Sequence, residues 1–364
     1  MQRIEKWDNL KFFLIYTVVL GHFFRSYSEM SLVRGLVLII YSFHMPLFLF
    51  LSGLFSKHTI ERKNFIRIFS YLLIFFFMRL IIQAANAGNG AAFRSPFSLR
   101  ESGAPWYMFA LFCYCLLTMV LRRLNGPAVL IALIALACIA GYSDAVGDFL
   151  ILSRIIVFYP FFFAGYLLRE EQVRAFSSKR SVFLFSLIFL LCLGGLFTFR
   201  LYNFYPFTYL ITGRRPFSVF AAHAQAAADN GLFPFSSLSG RILPFSWLFR
   251  FLYYPYAALV SLAVMSLTPE RFPIRSVPVW GSRSLQIYIL HRPLVTILME
   301  TLGLAEALRR LPGTILWVFL LAWALTLFLC PKIWGTILRP LTNPEIWLLP
   351  ILQQAKQKNN RDAA

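Results

Sequence analysis

Carboxylates are scarce in this chain. Aspartate and glutamate contribute 15 of 364 residues against 35 lysines and arginines, and none of the acids falls deep in an apolar run. That scarcity excludes a clustered-carboxylate metal site. It also tells against a serine-hydrolase triad, whose histidine needs an acid to orient it, and no G-x-S-x-G elbow is present. Cysteine is sparse too. Cys113, Cys115, Cys138, Cys192 and Cys330 all lie in apolar segments, with neither the pattern of a secreted disulfide framework nor a zinc-ligand spacing. There is no glycine-rich phosphate loop and no internal repeat. Low complexity is confined to a polar tail after about Gln353, whose composition reads as disordered.

Apolar surface, by contrast, is abundant. The chain is 59% hydrophobic, 18% aromatic and 14% charged, with a mean hydropathy of +0.67. No soluble core of this length needs so much apolar surface, whereas a polytopic membrane protein does. A net charge of +20 would suit nucleic acid, but basic residues also crowd the cytoplasmic loops of membrane proteins, so no nucleic-acid partner is expected. The first apolar stretch carries Lys11 and His22 and is followed by no small-residue cleavage site, which tells against a cleavable signal peptide.

Ten windows approach the roughly 20 residues that cross a bilayer: about 9–28, 35–55, 68–86, 105–122, 127–142, 149–168, 182–199, 246–267, 284–300 and 313–330. Alternating sides puts roughly twice as many lysines and arginines on the side of the N-terminus as on the other. The expected fold is therefore all-α, a multi-pass integral membrane protein of about ten transmembrane helices with both termini cytoplasmic. Residues 1–335 form one membrane domain and 336–364 a cytoplasmic tail. A segment at about 200–245 lies outside. It carries Tyr202, Phe204, Tyr205, Phe207 and Tyr209 ahead of Arg214 and Arg215, a composition that suits sugar rings and acidic polymers or, equally, the headgroup layer.

Ionisable residues inside apolar spans are costly unless they face protein or a water-filled cavity. Lys11 and His22 are eleven residues apart in KFFLIYTVVLGH. Eleven steps return to within about 20° of the same helix face and climb about 16 Å, so one face presents a cation and, much deeper, a titratable nitrogen. His44 stands in the second span, where Pro46 loosens the backbone and Ser52-Gly53 permits close helix approach. Arg79 is too deep in the third span to snorkel easily, while Arg25 and Arg154 stand near an end where snorkelling is open to them. In SLQIYILHRP, Tyr288 and His291 share a face with Ser284 a turn earlier. Each histidine has a packing role as its alternative. With no acid to orient it, the chemistry left to a buried histidine is transfer of a group that another molecule brings already activated.

WDNLKFFLIYTVVLGH, FHMPLFLFLSGLF, ERKNFIRIFSY, PWYMFALF, FYPFFFAGYLL and SLQIYILH occur in this order. On these motifs the chain resembles the acyltransferase-3 superfamily, in its branch related to fucose 4-O-acetylases, over roughly residues 7–331. The resemblance implies an integral enzyme of the bacterial inner membrane that moves an acetyl or other acyl group from acetyl-CoA onto a sugar of a surface or lipid-linked polysaccharide. Acetyl-CoA is then a co-substrate and no cofactor is tightly bound. Its partners are membrane lipid and the carbohydrate acceptor, with a homo-oligomer left open. Carried over by position, His22 matches the essential histidine, as general base or acyl carrier; His44, at comparable depth in the adjacent span, is the second catalytic candidate on the residues' own evidence. Lys11 matches a basic partner that is more often arginine, so it keeps the charge but loses the bidentate fork. Arg67 matches the arginine that opens the third helix, with Arg62 or Lys63 as a second basic partner, and Arg79 joins this donor-binding set. Trp106 stands where many members have a tryptophan, as an acceptor-side or packing residue, and Arg214, Arg215 and His291 are the acceptor-side candidates that the residues themselves suggest. Two other readings stay open: a proton-coupled exporter of lipid-linked sugars, which would be expected to carry buried acids and repeats, and a structural envelope subunit, which leaves the Lys11–His22 spacing unexplained.

Overall fold

The structure, a computed structural model, describes residues 4–90, 98, 103–147, 149–198, 201–231 and 240–362. Arg3, Arg94, Arg100 and Arg200, which enter the charge count, and Pro234 lie outside these. Each of the ten apolar windows coincides with a helix: α1 Glu5–Phe24, α2 Ser31–Phe55, α3 Phe65–Ala87, α4 Trp106–Leu121, α5 Gly126–Ala140, α6 Leu152–Leu167, α7 Arg180–Thr198, α8 Ser246–Leu267, α9 Ser284–Thr296 and α10 Thr314–Phe328. No strand occurs among the described residues. By length and composition α2, α3 and α8 are able to cross a membrane, and α6 joins them if counted with the Glu170–Ser177 helix, which it meets at 97°. Val120, Ile131, Ile139, Ile188 and Leu191 turn outward, 61–69% exposed. In water such side chains would form an aggregation surface, and lipid removes that cost. Helix length and outward apolar surface together mark an integral membrane protein.

The packing is arranged around α1. Most of it is buried: Leu10, Leu14, Ile15, Val19, Phe23 and Phe24 are completely so, while Phe13 faces outward. Its neighbours are α2, α9, α10 and the short helix Ser276–Gly281. Gly281 sits so close that a Cβ there would lie 1.7 Å from the Asp8 carbonyl oxygen. A second close crossing joins α2 to α6, where a Cβ on Gly53 would fall 1.9 Å from the Phe162 oxygen and one on Gly165 2.0 Å from the Phe50 oxygen. Backbones that touch in this way need glycine on both sides. The Ser52-Gly53 pair thus does what its composition suggested, and its partner is Gly165.

Polar contacts fasten the first turn of α1. Lys6 donates to Ser177 and Ser178 at 3.2 and 2.9 Å and stands 3.6 Å from Glu270, which Arg174 holds at 2.8 Å. The Trp7 indole donates to Glu170 at 2.6 Å. Burial opposes charge on Glu270, but the hydrogen bonds from Arg174 and Ser178 and the charges of Lys6 and Arg174 hold its carboxyl below the usual carboxylate range.

Two expectations need correction. The first helix ends at Phe24 rather than near residue 28, because Arg25–Tyr27 tightens into a 3-10 turn whose Tyr27 hydroxyl donates to the Ala305 carbonyl. His22 therefore stands in the last turn of α1. The tail is not irregular either, since Glu345–Asp362 is helical; its Gln, Ala and Lys residues are strong helix formers that extend the turn begun by the apolar Ile346–Leu349. Residues 200–245 form the helices Leu201–Phe204, Phe207–Ile211 and Phe217–Asp229 among their described parts. The last of these is anchored by the buried Phe217, over whose ring the Arg250 guanidinium lies at 5.3 Å.

Gly165→Ala is expected to destabilise the detergent-solubilised protein by about 1–3 kcal/mol, the usual penalty of overpacking, seen as a lower Tm. Gly195→Ala, which meets open space, should be neutral; equal melting of the two variants would refute the α2–α6 crossing. For Glu270, whose folded-state value is depressed, the stabilisation is full above its ordinary value of 4.5 and is lost as pH falls through the lower folded value. The Tm gap between wild type and Glu270→Gln should accordingly narrow between neutral pH and pH of about 3.

Candidate active site

Two cavities lie along α1. The smaller, about 300 Å³, is lined by Lys11 of α1, Ser52 and Phe55 of α2, Arg67 and Tyr71 of α3, and Tyr107 and Cys115 of α4. The larger, about 1270 Å³, is lined by His22, His44, Arg79 and Trp106 together with Arg214 and Arg215. Val18, Met45 and Tyr288 belong to the walls of both. The cavities therefore meet between Lys11 and His22, along the helix face that the eleven-residue spacing defines.

At the Lys11 end, the ammonium stands 3.5 Å from the Asp8 carboxylate and 5.3 Å over the Phe55 ring. Arg67 enters the same cavity from the first turn of α3, which Asn64 caps by accepting the Arg67 N–H at 3.1 Å. Between the ends runs a wall of hydroxyl and aromatic groups. Ser52 and Tyr107 share a hydrogen bond of 2.7 Å, the Tyr107 and Tyr288 rings are 5.2 Å apart, and the Tyr288 hydroxyl donates to the Ala104 carbonyl.

At the other end His22 faces the cavity with His291 behind it, ring centroids 5.0 Å apart. His291 is fully buried, and its Nδ1 lies 3.1 and 2.8 Å from the carbonyls of Ile287 and Tyr288. A carbonyl partner assigns the proton of the neutral ring to Nδ1 and leaves Nε2 as the lone-pair nitrogen. That Nε2 is buried with no hydrogen-bond partner among the described residues. His44 is set the same way, Nδ1 2.6 Å from the Ile40 carbonyl and its ring 5.0 Å from Tyr41. Pro46, two residues on, lacks the N–H that would bond the Ser42 carbonyl, so α2 is loosened in the turn that holds the histidine. A basic nitrogen that faces a water-sized space is equipped to accept a proton or an acyl group.

The structure thus gathers Lys11 with Arg67, and His22 with His44, Trp106, Arg214 and Arg215. Arg62 and Lys63 line neither cavity; they are exposed in the turn before α3, with Lys63 at a φ of 49°. Arg79 is not with Lys11 and Arg67, because twelve residues along α3 carry it about 18 Å further, and it opens into the larger cavity instead. His291 lies behind His22 rather than on the acceptor wall. Arg25 and Arg154 line the larger cavity instead of snorkelling to lipid, Arg154 with its guanidinium 5.2 Å over the Trp106 ring. Sequence reasoning passed over Tyr41, Tyr107 and Arg292. Arg292 carried a legible signal, being a second ionisable residue in the apolar run YILHRP; Tyr41 and Tyr107 had none, because tyrosine is common at membrane interfaces.

The acyltransferase domain family matches residues 4–331. Nodulation protein NolL of Sinorhizobium fredii (strain NBRC 101917 / NGR234) is 28% identical over 204 residues, which are 51% of this chain and 55% of that protein. The chain thus spans about half the length of the curated relative it matches. No solved structure matches. The family match takes in every helix that lines either cavity, and the chain belongs to the acyltransferase-3 family.

Proposed function

We propose that this protein is a multi-pass enzyme of the bacterial inner membrane that moves an acetyl group from acetyl-CoA to a hydroxyl of a cell-surface or lipid-linked polysaccharide sugar. The observation that carries the reading is the meeting of two cavities, one with Lys11 and Arg67 and the other with His22, at Val18, Met45 and Tyr288. Acetyl-CoA has phosphates at one end and a thioester at the end of a long arm, so its site needs positive charge at a mouth and a base deeper in. The climb of about 16 Å from Lys11 to His22 matches an extended pantetheine arm. In this arrangement the donor enters from the cytoplasmic Lys11 end and the sugar from the other side.

Two routes use the same geometry. In the first, His22 takes the proton of the sugar hydroxyl as its oxygen bonds to the thioester carbonyl carbon. The C–S bond breaks, and the CoA thiolate leaves and takes up that proton. In the second, the lone-pair nitrogen of His22 attacks the carbonyl and the C–S bond breaks to release CoA as its thiolate; the sugar hydroxyl then displaces neutral imidazole from the acyl group, and its proton is left to the thiolate. His291, 5.0 Å behind, holds the His22 ring in place in either case.

His22→Ala is expected to lower transfer by at least about 100-fold, the common contribution of a positioned base, while membrane insertion and Tm stay near wild type. Acid quenching after incubation with radiolabelled acetyl-CoA and no acceptor separates the routes, since protein-bound label that His22→Ala lacks belongs only to the second. Transfer undiminished in a well-folded His22→Ala enzyme would remove His22 from the mechanism.

Arg67→Ala and Lys11→Ala should each weaken acetyl-CoA binding about tenfold, equivalent to about 1.4 kcal/mol, with the deficit shrinking as salt screens the phosphate contact. Lys11→Arg restores the fork and should bind at least as tightly as wild type. Wild-type affinity in both alanine variants would place the donor elsewhere.

A further inference from the structure

Behind His22 stands a buried hydrogen-bond acceptor that none of the described residues satisfies. His291 has no exposed surface, and the carbonyls of Ile287 and Tyr288, 3.1 and 2.8 Å from its Nδ1, place the proton of the neutral ring on that nitrogen. Enclosure keeps the ring neutral, because a charge there would lose its hydration. Nε2 is then a lone pair shut off from water and unpartnered among the described residues, which is costly unless a donor reaches it. The ring beside it is that of His22, with centroids 5.0 Å apart and planes inclined at 47°. Imidazole nitrogens lie about 1.1 Å from the ring centre, so two that point at one another across this gap approach to about 2.8 Å, the length of a hydrogen bond. Rotation of the His22 ring about its χ2 bond selects which of its nitrogens does so.

We propose that His291 is a positioning residue whose Nε2 accepts the N–H of His22, fixing the tautomer of His22 and stabilising the charge that its ring acquires in the reaction. The proposal rests on the acyltransferase reading. A neutral imidazole has one N–H and one lone pair. With the N–H committed to His291, the lone pair stands on the other nitrogen, free for the cavity that His22 lines. Both routes need that lone pair, one for the hydroxyl proton and the other for the carbonyl carbon, and both make the His22 ring cationic on the way. The N–H that faces His291 then becomes a charge-assisted donor, roughly twice as strong as a neutral one. His291 keeps its own proton on Nδ1 and gains none, so the bond strengthens while no proton crosses it. A carboxylate in this place would do the same only by burying a charge in the resting enzyme. A contact that tightens only as the reaction proceeds raises kcat and leaves substrate binding alone.

The test compares His291→Leu, which removes the acceptor, with His291→Gln, whose amide oxygen reaches the place of Nε2, and His291→Asn, whose oxygen falls short of it. Membrane vesicles of the parent bacterium, carrying each variant in place of the native protein, supply the native acceptor, and incorporation of label from radiolabelled acetyl-CoA is followed. His291→Leu and His291→Asn are expected to lower kcat at least about 30-fold with the KM for acetyl-CoA unchanged within about twofold, whereas His291→Gln stays within about fivefold of wild type. In nitrogen-15 spectra of histidine-labelled protein in detergent, the His22 signals, identified by their loss in His22→Gln, should show one tautomer in wild type and in His291→Gln and a mixture in His291→Leu. Packing alone would not move that readout. Wild-type kcat in His291→Leu overturns the proposal. So does a kcat as low in His291→Gln as in His291→Leu, or a fall in kcat with the tautomer unchanged, since each assigns His291 to packing. If His291→Leu fails to fold, His291→Gln against His291→Asn decides by the same criteria. A wild type that transfers no label overturns the transferase reading and the role of His291 with it, while transfer that wild type and His291→Leu share equally overturns the pairing alone.

Discussion

An ionisable side chain on a largely buried helix must be given water, a counter-charge or a ligand, or it unfavourably stays buried and alone. α1 carries Lys11 and His22 on one face of a helix that is otherwise wrapped by α2, α9 and α10. The architecture meets that demand with two cavities end to end along the same face. Everything else in the protein serves to hold α1 in register with them. Gly281 lets its neighbour approach to backbone contact beside Asp8, and the Lys6–Glu270–Arg174 cluster fixes its first turn. A slide of α1 by one turn would move the histidine by about 5 Å relative to its cavity.

The two cavities differ in character. The smaller one is narrow, walled by Phe48, Phe55 and Tyr71, with its cations Lys11 and Arg67 at one end. Such a shape suits a thin chain with a charged head. The larger one is several times more capacious and lined by arginine from several helices, which suits a bulky polar molecule. The Ser52–Tyr107 hydrogen bond and the Tyr107–Tyr288 ring contact form the wall where the two meet. Val18, Met45 and Tyr288 are the side chains that the two walls share.

Histidine placement shows how little of a site is set by one element. His22, His44 and His291 come from α1, α2 and α9, and each owes its orientation to its surroundings. Backbone carbonyls one turn earlier fix His44 and His291, while His22 is fixed by the ring of His291 behind it. Where an acid commonly stands beside a catalytic histidine, the ring against His22 is a second, buried imidazole.

The helices were legible in the sequence because crossing or lining a bilayer demands long apolar runs, and composition alone reveals these. All ten windows became helices, and the family was legible from FHMPLFLFLSG and the Lys11–His22 spacing. Helix ends were less so, since the 3-10 turn at Arg25–Tyr27 depends on a hydrogen bond to Ala305, nearly 280 residues away. Which arginines share a cavity was not legible at all. Arg67 and Arg79 stand on one helix yet serve opposite ends, Arg62 and Lys63 sit beside Arg67 yet line nothing, and Arg25, Arg154 and Arg292 looked like surface anchors or went unnoticed. The sequence by itself determined which residues must be inside a membrane helix and therefore need a reason to be there. Only the tertiary structure decided which reason each one has, because depth along a helix follows from counting residues, whereas the partner across a cavity is set by how helices far apart in the chain cross.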